Sequence, residues 1–462
     1  MQRLSGLDAS FLYLETPSQP MHVCSIMGLD PTTMPGGYNF DRLREALSLR
    51  IKAMPEFREK LANSPLNLDH PVWVDDNNFE IDRHLHRIGL PPPGGRTELA
   101  EICGHIASLP LDRSRPLWEM WVIEGVAGAD PDKKCMAVMT KVHHAGVDGV
   151  TGANLMSKLC TTEPDAPAPE PVAGVGDANG WQIAGGGLLR FATRPLRLAN
   201  MVPQTVSSVV ETVLRARDGQ AMARPFSAPR TVFNASVTGR RNIAYADLDL
   251  QDVKTVKDRF NVKVNDVVMA LVSGVLRHYL SDRDLLPETS LVASVPVSVH
   301  GKSDRPGRNQ VSAMFASLQS HIADPVQRLK AIADANSVAK EHSSAIGATL
   351  LQDWTQFAAP AVFGVAMRVY ASTRLTESLP VHNLVVSNVP GPQVPLYLLG
   401  CEVKAMYPLG PIFHGSGLNI TVMSLNGRLN VGLISCPDLL PDLWEMADEF
   451  TVGMEELLAA AR

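Results

Sequence analysis

Short apolar runs alternate with amphipathic segments along most of the chain. The run 135–142 is almost wholly apolar and predicts a buried strand, and 22–29 predicts another. Helical spacing of apolar residues predicts amphipathic helices from Asp41, over 97–108, around 264–272, from Asp324 and over 443–457. Further strands are predicted over 120–126, 242–250, 290–299, 309–318, 383–388, 403–407, 418–425 and 428–436. Asn426-Gly427 between the last two predicts a tight hairpin turn.

A proline-rich stretch, 163–171, divides this pattern and predicts an extended linker. A chain of 462 residues is too long for one ordinary core, so we expect two domains. The expected units are an N-terminal domain over 1–160, a linker with a connecting helix over 161–225, and a C-terminal domain over 226–462. Both halves mix helices and strands, which predicts an α/β fold with mixed sheets flanked by helices.

The segment 188–217 is rich in Arg, Leu and Val and predicts a helix broken near its prolines. Arg190, Arg194 and Arg197 give it a basic face. One interpretation is a connecting helix with a solvated face. The other is a surface that touches anionic lipid.

Composition narrows the class of protein. Apolar residues make up 45%, charged residues 19%, and the net charge is -6, which is typical of a soluble globular protein and not of a nucleic-acid binder. The six cysteines show no CxxC spacing and predict small buried residues in a reducing compartment. We expect a cytoplasmic protein with no signal peptide and no transmembrane helix, since the longest weakly charged stretch, 354–367, is short and contains Pro360. Association with a membrane surface stays open.

Candidate chemistry lies in the heptapeptide 143–149, His-His-Ala-Gly-Val-Asp-Gly, between a predicted strand and a helix predicted over 150–156. Adjacent side chains at a strand end point to opposite faces, so one imidazole can face the core and the other a cleft. A neutral imidazole can accept the proton of an alcohol that attacks a thioester. Asp148 falls where the helix begins, a position suited to a capping carboxylate, and Gly149 allows a tight turn.

Other interpretations of the heptapeptide are weaker. Two histidines that merely satisfy hydrogen bonds at a strand end would give a similar pattern. The spacing matches no familiar zinc site and no third ligand motif follows, so we expect no metal. The GxSxG nucleophile motif is also missing, since Gly415-Ser416-Gly417 lacks the pattern. We therefore expect direct acyl transfer.

The heptapeptide resembles the HHxxxDG signature of CoA-dependent acyltransferases and condensation domains. Over nearly its whole length the chain is similar to the bacterial wax ester synthase/acyl-CoA:diacylglycerol acyltransferase family of the actinobacterial kind. The blocks that carry this resemblance beside the histidines are 4–9, 116–119, 229–231, Asn265-Asp266, 296–299 and 387–392.

The resemblance implies the two-domain fold of the chloramphenicol acetyltransferase type, with the His motif at the domain interface in a tunnel. It implies transfer of a long-chain acyl group from acyl-CoA to diacylglycerol, and to fatty alcohols to give wax esters. Acyl-CoA is then a substrate, and no cofactor is expected. The expected partners are these lipids and a peripheral membrane or lipid-droplet surface.

The resemblance also assigns roles. It makes His144 the general base and His143 its support, with Asp148 as an ion-pair residue and Gly149 shaping the turn. Asn265 would hydrogen-bond the developing oxyanion. A helix N-terminal amide that bonds only backbone is the alternative for Asn265.

Substrate-binding candidates come from two other blocks. Pro116, Leu117 and Trp118 either line the substrate site or only pack the domain. Asn388 and Pro390 belong to a turn that is structural or lines the acyl-CoA channel.

Two departures from the family leave the partner of Asp148 open. His300 stands where the family often has arginine, and Arg308-Asn309 stands where it often has Gly-Asn. Arg308 or another arginine could pair with the aspartate. Two other functions also stay open: acyl transfer from a carrier protein, as in condensation enzymes, and non-catalytic lipid binding.

Overall fold

A computed structural model describes residues 1–63, 69–128, 135–146, 158–176, 183, 227–298, 311–345 and 380–462. Some predictions lie outside the described residues. They are the helix over 150–156, the segment 188–217 with its arginines, Asp148, Gly149, His300 and Arg308.

Seven α-helices are described. They are α1 (Gly6–Leu14), α2 (Phe40–Lys52), α3 (Arg96–Ser108), α4 (Leu250–Phe260), α5 (Val264–Ser281), α6 (Pro325–Ala345) and α7 (Leu443–Ala461). The described strands before the proline-rich stretch are β1 (Gln2–Arg3), β2 (His22–Asp30), β3 (Glu59–Ala62), β4 (Val72–Asp75), β5 (Leu85–Gly89), β6 (Trp118–Val126) and β7 (Cys135–His143), and β8 (Cys160–Thr161) lies just ahead of it. Those after it are β9 (Asn242–Asp249), β10 (Val292–Ser298), β11 (Val311–Ser317), β12 (Leu384–Pro390), β13 (Tyr397–Leu398), β14 (Cys401–Leu409), β15 (Leu418–Leu425) and β16 (Arg428–Ser435).

The first large sheet has seven strands in the order β5-β6-β7-β2-β14-β13-β8. It is mixed, because β5 and β6 run parallel while β7 is antiparallel to both of its neighbours, β6 and β2. One face is covered by α2, whose Leu43, Leu47 and Ile51 are buried as their helical spacing predicts. The apolar run of β7 is therefore explained by its place inside this sheet.

The second large sheet has six strands in the order β11-β10-β12-β15-β16-β9. The pairs β10–β12 and β12–β15 are parallel and the others antiparallel. Asn426 and Gly427, at φ 42° and 80°, form the predicted hairpin turn between β15 and β16. Helices α4 to α7 pack on one face through a large apolar core. A small sheet of order β1-β4-β3 completes the strands.

The two halves of the chain interlock. Strands β13 and β14, which come late in the chain, belong to the first sheet, and β14 pairs along β2 with Leu409 opposite Cys24. Helix α3 fits closely against the second half at Gly104, where a Cβ would lie 2.6 Å from the carbonyl oxygen of Arg241. A C-terminal domain that begins at residue 226 thus includes strands of the first sheet, and the predicted domain boundaries stay a prediction.

Most predicted elements are confirmed, with bounds that shift by a few residues. The mixed α/β architecture of two layered sheets is also confirmed. The prediction for Leu250 was wrong, because this residue begins α4 and does not end a strand. The short strands β1, β3, β4, β5, β8 and β13 were not predicted, since they are too short to give a clear period. Helices α1 and α4 were also not predicted, although α4 buries Leu250, Val253 and Val256 at helical spacing.

The proline-rich stretch turns at Pro164 and Asp165, has no regular secondary structure from there to 171, and is largely exposed. It is anchored along the first half, and its role as a linker stays a prediction. Arg50 donates to the carbonyl of Ala166, and the Val172 amide donates to the carbonyl of Lys52. All six cysteines are free thiols. In the described ranges, His, Cys, Asp and Glu side chains form no group suited to a metal, and no helix is long and apolar enough to cross a bilayer.

Candidate active site

The two motif histidines lie at the end of β7, between two neighbouring segments of the same chain. The His143 amide donates to the Leu117 carbonyl at 3.0 Å, and the His144 amide donates to the Met21 carbonyl at 2.8 Å. Successive residues of an extended chain bond to opposite sides, and their side chains also point to opposite faces. The His143 ring is fully buried and the His144 ring is half-buried. The sequence-based expectation of one core-facing and one open imidazole is therefore confirmed.

The protonation state of His143 follows from its contacts. The Ala145 amide donates to Nδ1 of His143 at 3.0 Å, so this nitrogen carries no proton. The proton resides on Nε2, which faces the Glu15 Oε1 atom at 3.5 Å, a distance too long for a well-formed hydrogen bond. Burial lowers the pKa of His143 to about 4, against the opposing pull of Glu15. His143 is thus a neutral, fixed ring that orders the turn after β7.

Glu15 is a partly buried carboxylate directly beneath this turn. Its Oε2 accepts from Nε of Arg113 at 3.0 Å, and its Oε1 accepts from the Met21 amide at 3.2 Å. The Nε2 atom of His22 lies 3.4 Å from the same Oε1. Burial opposes ionisation of this carboxyl, but the His143 and His22 imidazoles and the guanidinium outweigh it and hold the pKa of Glu15 well below its usual range. Glu15 therefore carries a fixed negative charge.

The His144 ring is held by stacking. Its centroid lies 3.9 Å from that of Phe11, with 14° between the planes. Phe11 is four residues before Glu15, so both project from one side of the C-terminal end of α1. Ser5 and Asp8 form a capping box that fixes the start of this helix. The result is an accessible imidazole whose plane is restricted by a rigid neighbour, as a general base requires.

The block 116–119 supports β7 from the adjacent strand. Pro116, Leu117 and Trp118 are all buried, and the indole Nε1 of Trp118 donates to the Phe57 carbonyl at 2.8 Å. These contacts favour the packing interpretation. Contact of the three residues with substrate stays a prediction.

A buried ion pair joins the same block to the His motif. Lys141 is fully buried, and its Nζ lies 2.8 Å from the Glu119 carboxylate. Nζ also donates to the carbonyls of Ile106 and Leu109, at the C-terminal end of α3. Carbonyls at a helix C-terminus attract a cation, so Lys141 binds α3 to the strand that carries the histidines.

The turn predicted for Asn388 and Pro390 was wrong, because both residues lie in strand β12 and pair with β15. The structure brings Asn388 together with another predicted residue. The side-chain amide of Asn388, on β12, donates to Oδ1 of Asn265 at 3.4 Å. This contact directs the Asn265 NH₂ group away from Asn388, at the N-terminal and electropositive end of α5. Val389, next to Asn388, lies in an apolar core shared with Met27 of the first sheet, whereas Pro390 is exposed. The asparagine pair thus lies beside the contact between the two sheets. The described hydrogen bonds do not join it to His144.

Asp266 fixes the position of its neighbour Asn265. Its carboxylate accepts from the Lys263 amide at 2.9 Å, closing the first turn of α5. It also accepts from the side-chain amide of Asn336, on α6, at 2.9 Å. The Asn-Asp motif therefore combines one half-buried amide with one buried carboxylate that holds the helix end.

A groove of about 1200 Å³ lies elsewhere on the first sheet. Its lining includes Tyr38, Arg87 and Glu124 and the first residues of β7. Cys135, at that end of β7, is eight positions before His143, roughly 26 Å at the usual rise per residue. This groove is therefore not part of the His site.

Sequence reasoning missed Phe11, Glu15, His22 and Arg113. The phenylalanine and the glutamate are four residues apart, a spacing that places both on one helix face. That signal was available, but α1 was not predicted. The arginine is 98 residues from Glu15 along the chain, and no local pattern links them.

Comparisons with known proteins agree with the motifs. The profile of the wax ester synthase/diacylglycerol acyltransferase catalytic domain matches residues 4–268, and that of the C-terminal domain of the same family matches 308–458. A protein of Mycobacterium tuberculosis strain H37Rv, named as a candidate diacylglycerol O-acyltransferase, is 61% identical over 458 residues, or 99% of this chain and 90% of the relative.

Solved structures give the same result. The wax ester synthase/diacylglycerol acyltransferase from Marinobacter aquaeolei VT8 is 30% identical, with a TM-score of 0.71 and full coverage of both chains. The first condensation domain of the calcium-dependent antibiotic synthetase has a TM-score of 0.60 over 99% of this chain and 97% of its own. At 16% identity, that second likeness concerns the fold alone.

We predict that acid destabilises the fold through His143. An imidazole in the unfolded chain titrates near pH 6.5 (about the reference value), whereas the folded His143 has a pKa of about 4. Between these two values the unfolded chain binds the proton and the folded chain does not. Lowering the pH through this range therefore lowers the free energy of unfolding by up to about 3 kcal/mol. His143→Asn retains an acceptor for the Ala145 amide and should remove this part of the slope in urea unfolding. Equal slopes for both proteins would contradict the buried neutral ring.

Proposed function

Because the chain belongs to the wax ester synthase/diacylglycerol acyltransferase family, we propose that it transfers a long-chain acyl group from acyl-CoA directly to the hydroxyl of diacylglycerol, and also to fatty alcohols. The observation that carries this proposal is the half-buried imidazole of His144, stacked on Phe11 and held through its backbone at the end of β7. The acyl donor, the role of this base and the direct transfer are all parts of the proposal.

His144 acts as general base in this scheme. It takes the hydroxyl proton while the oxygen forms a bond to the thioester carbonyl carbon, and the carbonyl electron pair moves onto its oxygen. The tetrahedral intermediate then expels the CoA thiolate as its C–S bond breaks. The imidazolium returns the proton to the thiolate sulfur, which gives the ester, free CoA and a neutral His144. Acyl-CoA is a substrate, and the scheme requires no cofactor.

Direct transfer needs no serine nucleophile, and the protonation of one Ser–His pair in the described residues is consistent with this. Ser18 Oγ lies 3.1 Å from Nε2 of His414. The Val237 amide donates to Nδ1 of the same ring at 3.3 Å, so Nε2 carries the proton and donates to Ser18. An imidazole in this tautomer cannot take the serine proton. This contact therefore does not provide an activated nucleophile for an acyl-enzyme.

Asn265 stabilises the oxyanion in this proposal. Its amide NH₂ group is directed by Asn388 and lies at the positive end of α5, two features that favour a developing negative charge. The interpretation as a helix-terminal amide that bonds only backbone accounts less well for the side-chain contact with Asn388.

The solubility of the acceptor bears on whether the enzyme acts in solution or at a lipid surface. Diacylglycerol and long-chain alcohols are insoluble in water, and each methylene removed from water contributes about 0.8 kcal/mol. We therefore include a peripheral membrane or lipid-droplet surface in the proposal, where the acceptor is concentrated.

The central test is CoA release from palmitoyl-CoA with diacylglycerol as acceptor. His144→Ala should lower the rate by about 10²- to 10⁴-fold, since a positioned general base contributes that much. His105→Ala, an exposed histidine on α3, is the matched control and should retain the wild-type rate.

Two outcomes would overturn parts of the proposal. Equal rates for wild type and His144→Ala would remove the histidine from the mechanism. If no acyl-CoA supports turnover but an acylated carrier protein does, the carrier-dependent function is correct instead.

A second prediction concerns the oxyanion. Asn265→Ala should lower kcat by about 10²- to 10³-fold with little change in KM, because the lost hydrogen bond forms in the transition state. The exposed Asn78→Ala is the control and should behave as wild type. A rise in KM with unchanged kcat would instead make Asn265 a substrate-binding residue.

Surface association is checked by sedimentation with vesicles that contain diacylglycerol and anionic phospholipid. We expect the protein in the vesicle fraction, and we expect charge reversal at Arg190, Arg194 and Arg197 to weaken binding. Protein that stays in the supernatant with every vesicle composition would contradict the proposed surface.

A further inference from the structure

A chain of contacts beneath His144 converges on one side chain outside the sequence motif. Glu15 reaches both motif histidines by separate routes. Its Oε1 lies 3.5 Å from Nε2 of His143 and accepts from the Met21 amide at 3.2 Å. The carbonyl of Met21 in turn accepts from the His144 amide at 2.8 Å. One carboxylate oxygen therefore faces the buried ring next to the proposed base, and it also bonds to the Met21 peptide whose carbonyl accepts from that base.

Glu15 is also bonded to Phe11, the residue that stacks on His144. The Glu15 amide donates to the carbonyl of Phe11 at 3.2 Å as α1 ends. Phe11 stacks on the His144 ring. A shift of Glu15 would thus move the ring contact and the backbone contact of His144 together.

We propose that Glu15 is a positioning residue, which holds the His144 imidazole in its reactive orientation through Phe11, Met21 and His143. This inference rests on the proposed role of His144 as general base. Glu15 itself does not touch the reacting atoms.

The titratable groups that face Glu15 come from three parts of the chain. Arg113, between α3 and β6, neutralises it through Oε2 and also donates to the Leu12 carbonyl at 2.9 Å. His22, from β2, and His143, from β7, face it with buried rings that meet edge-on at 6.1 Å between centroids. The Arg113 side chain is partly exposed and the Glu15 carboxylate is largely buried, so the arginine contacts the carboxylate from the solvent side.

A plain ion pair that only stabilises the fold would predict a different response from a positioning residue. Loss of a merely structural pair lowers the amount of folded enzyme but leaves the kinetics of the folded fraction unchanged. Misplacement of a base lowers kcat while substrate binding is retained, because the loss is confined to the transition state.

The test uses Glu15→Gln in the full chain, with palmitoyl-CoA and diacylglycerol. Glutamine retains the shape and an acceptor for the Met21 amide but removes the charge. We expect kcat to fall by about tenfold or more per folded enzyme, with both KM values within about twofold of wild type. Glu15→Ala should fall further, so that the conservative variant partly rescues the rate.

The pH profile of kcat supplies a readout that a structural role would not move. Glu15→Gln removes a negative charge near His144, so the imidazolium becomes less stable and the acid limb should shift to lower pH by roughly half a unit. Arg113→Gln removes a positive charge and should shift the acid limb to higher pH, which also provides a usable variant if Glu15→Gln fails to fold. Opposite shifts support the inference.

A matched control and two outcomes decide the result. Glu124→Gln removes a comparable carboxylate from its pair with Arg87, far from the histidines, and should leave kcat and the pH profile unchanged. Wild-type kcat and profile in Glu15→Gln, with His144→Ala inactive, would overturn the role of Glu15 alone. An active His144→Ala would instead overturn the proposed base.

Discussion

The backbone pairing at the end of β7 is the constraint on which the site depends. The amide of His143 bonds to the Leu117 carbonyl on one side, and the amide of His144 bonds to the Met21 carbonyl on the other. With both neighbours in place, two adjacent side chains cannot share a face. One ring is therefore buried and neutral while the next is open, and two identical residue types acquire different chemistry from their position alone.

Each partner in that pairing is itself fixed by a distant segment. The carbonyl of Leu117 belongs to a buried block next to the Lys141–Glu119 ion pair, and the peptide of Met21 is held by Glu15. Burying charge is costly unless it is paired and hydrogen-bonded. Lys141 meets this condition with a carboxylate and two helix-end carbonyls. The polar contacts thus make the position of the histidines specific where apolar packing alone would allow small shifts.

The interlocked sheets explain how a second half can complete the site. Strand β14 pairs directly with β2, whose first residue, His22, is opposite His143. The C-terminal half is therefore joined to the His strand through a shared sheet, and its asparagine pair has a fixed relation to the first sheet. Because the contact is built from backbone hydrogen bonds and a close helix approach at Gly104, relative sliding of the halves would break many bonds together.

The sequence by itself determined the family, most long elements and the His pair, because periodicity and motif spacing report on local burial and local turns. It predicted that one imidazole would face the core and its neighbour would be open, since alternation along a strand is a local rule, and the family resemblance pointed to His144 as the base. Only the tertiary structure decided the roles of Glu15 and Arg113, which are 98 residues apart, and the contact of Asn265 with Asn388, 123 residues away. Sheet order placed β13 and β14 in the first sheet, and no local signal records which strands become neighbours. Contacts between distant segments depend on the packing of the whole chain, and this packing is what brings the Glu15 carboxylate next to the histidines.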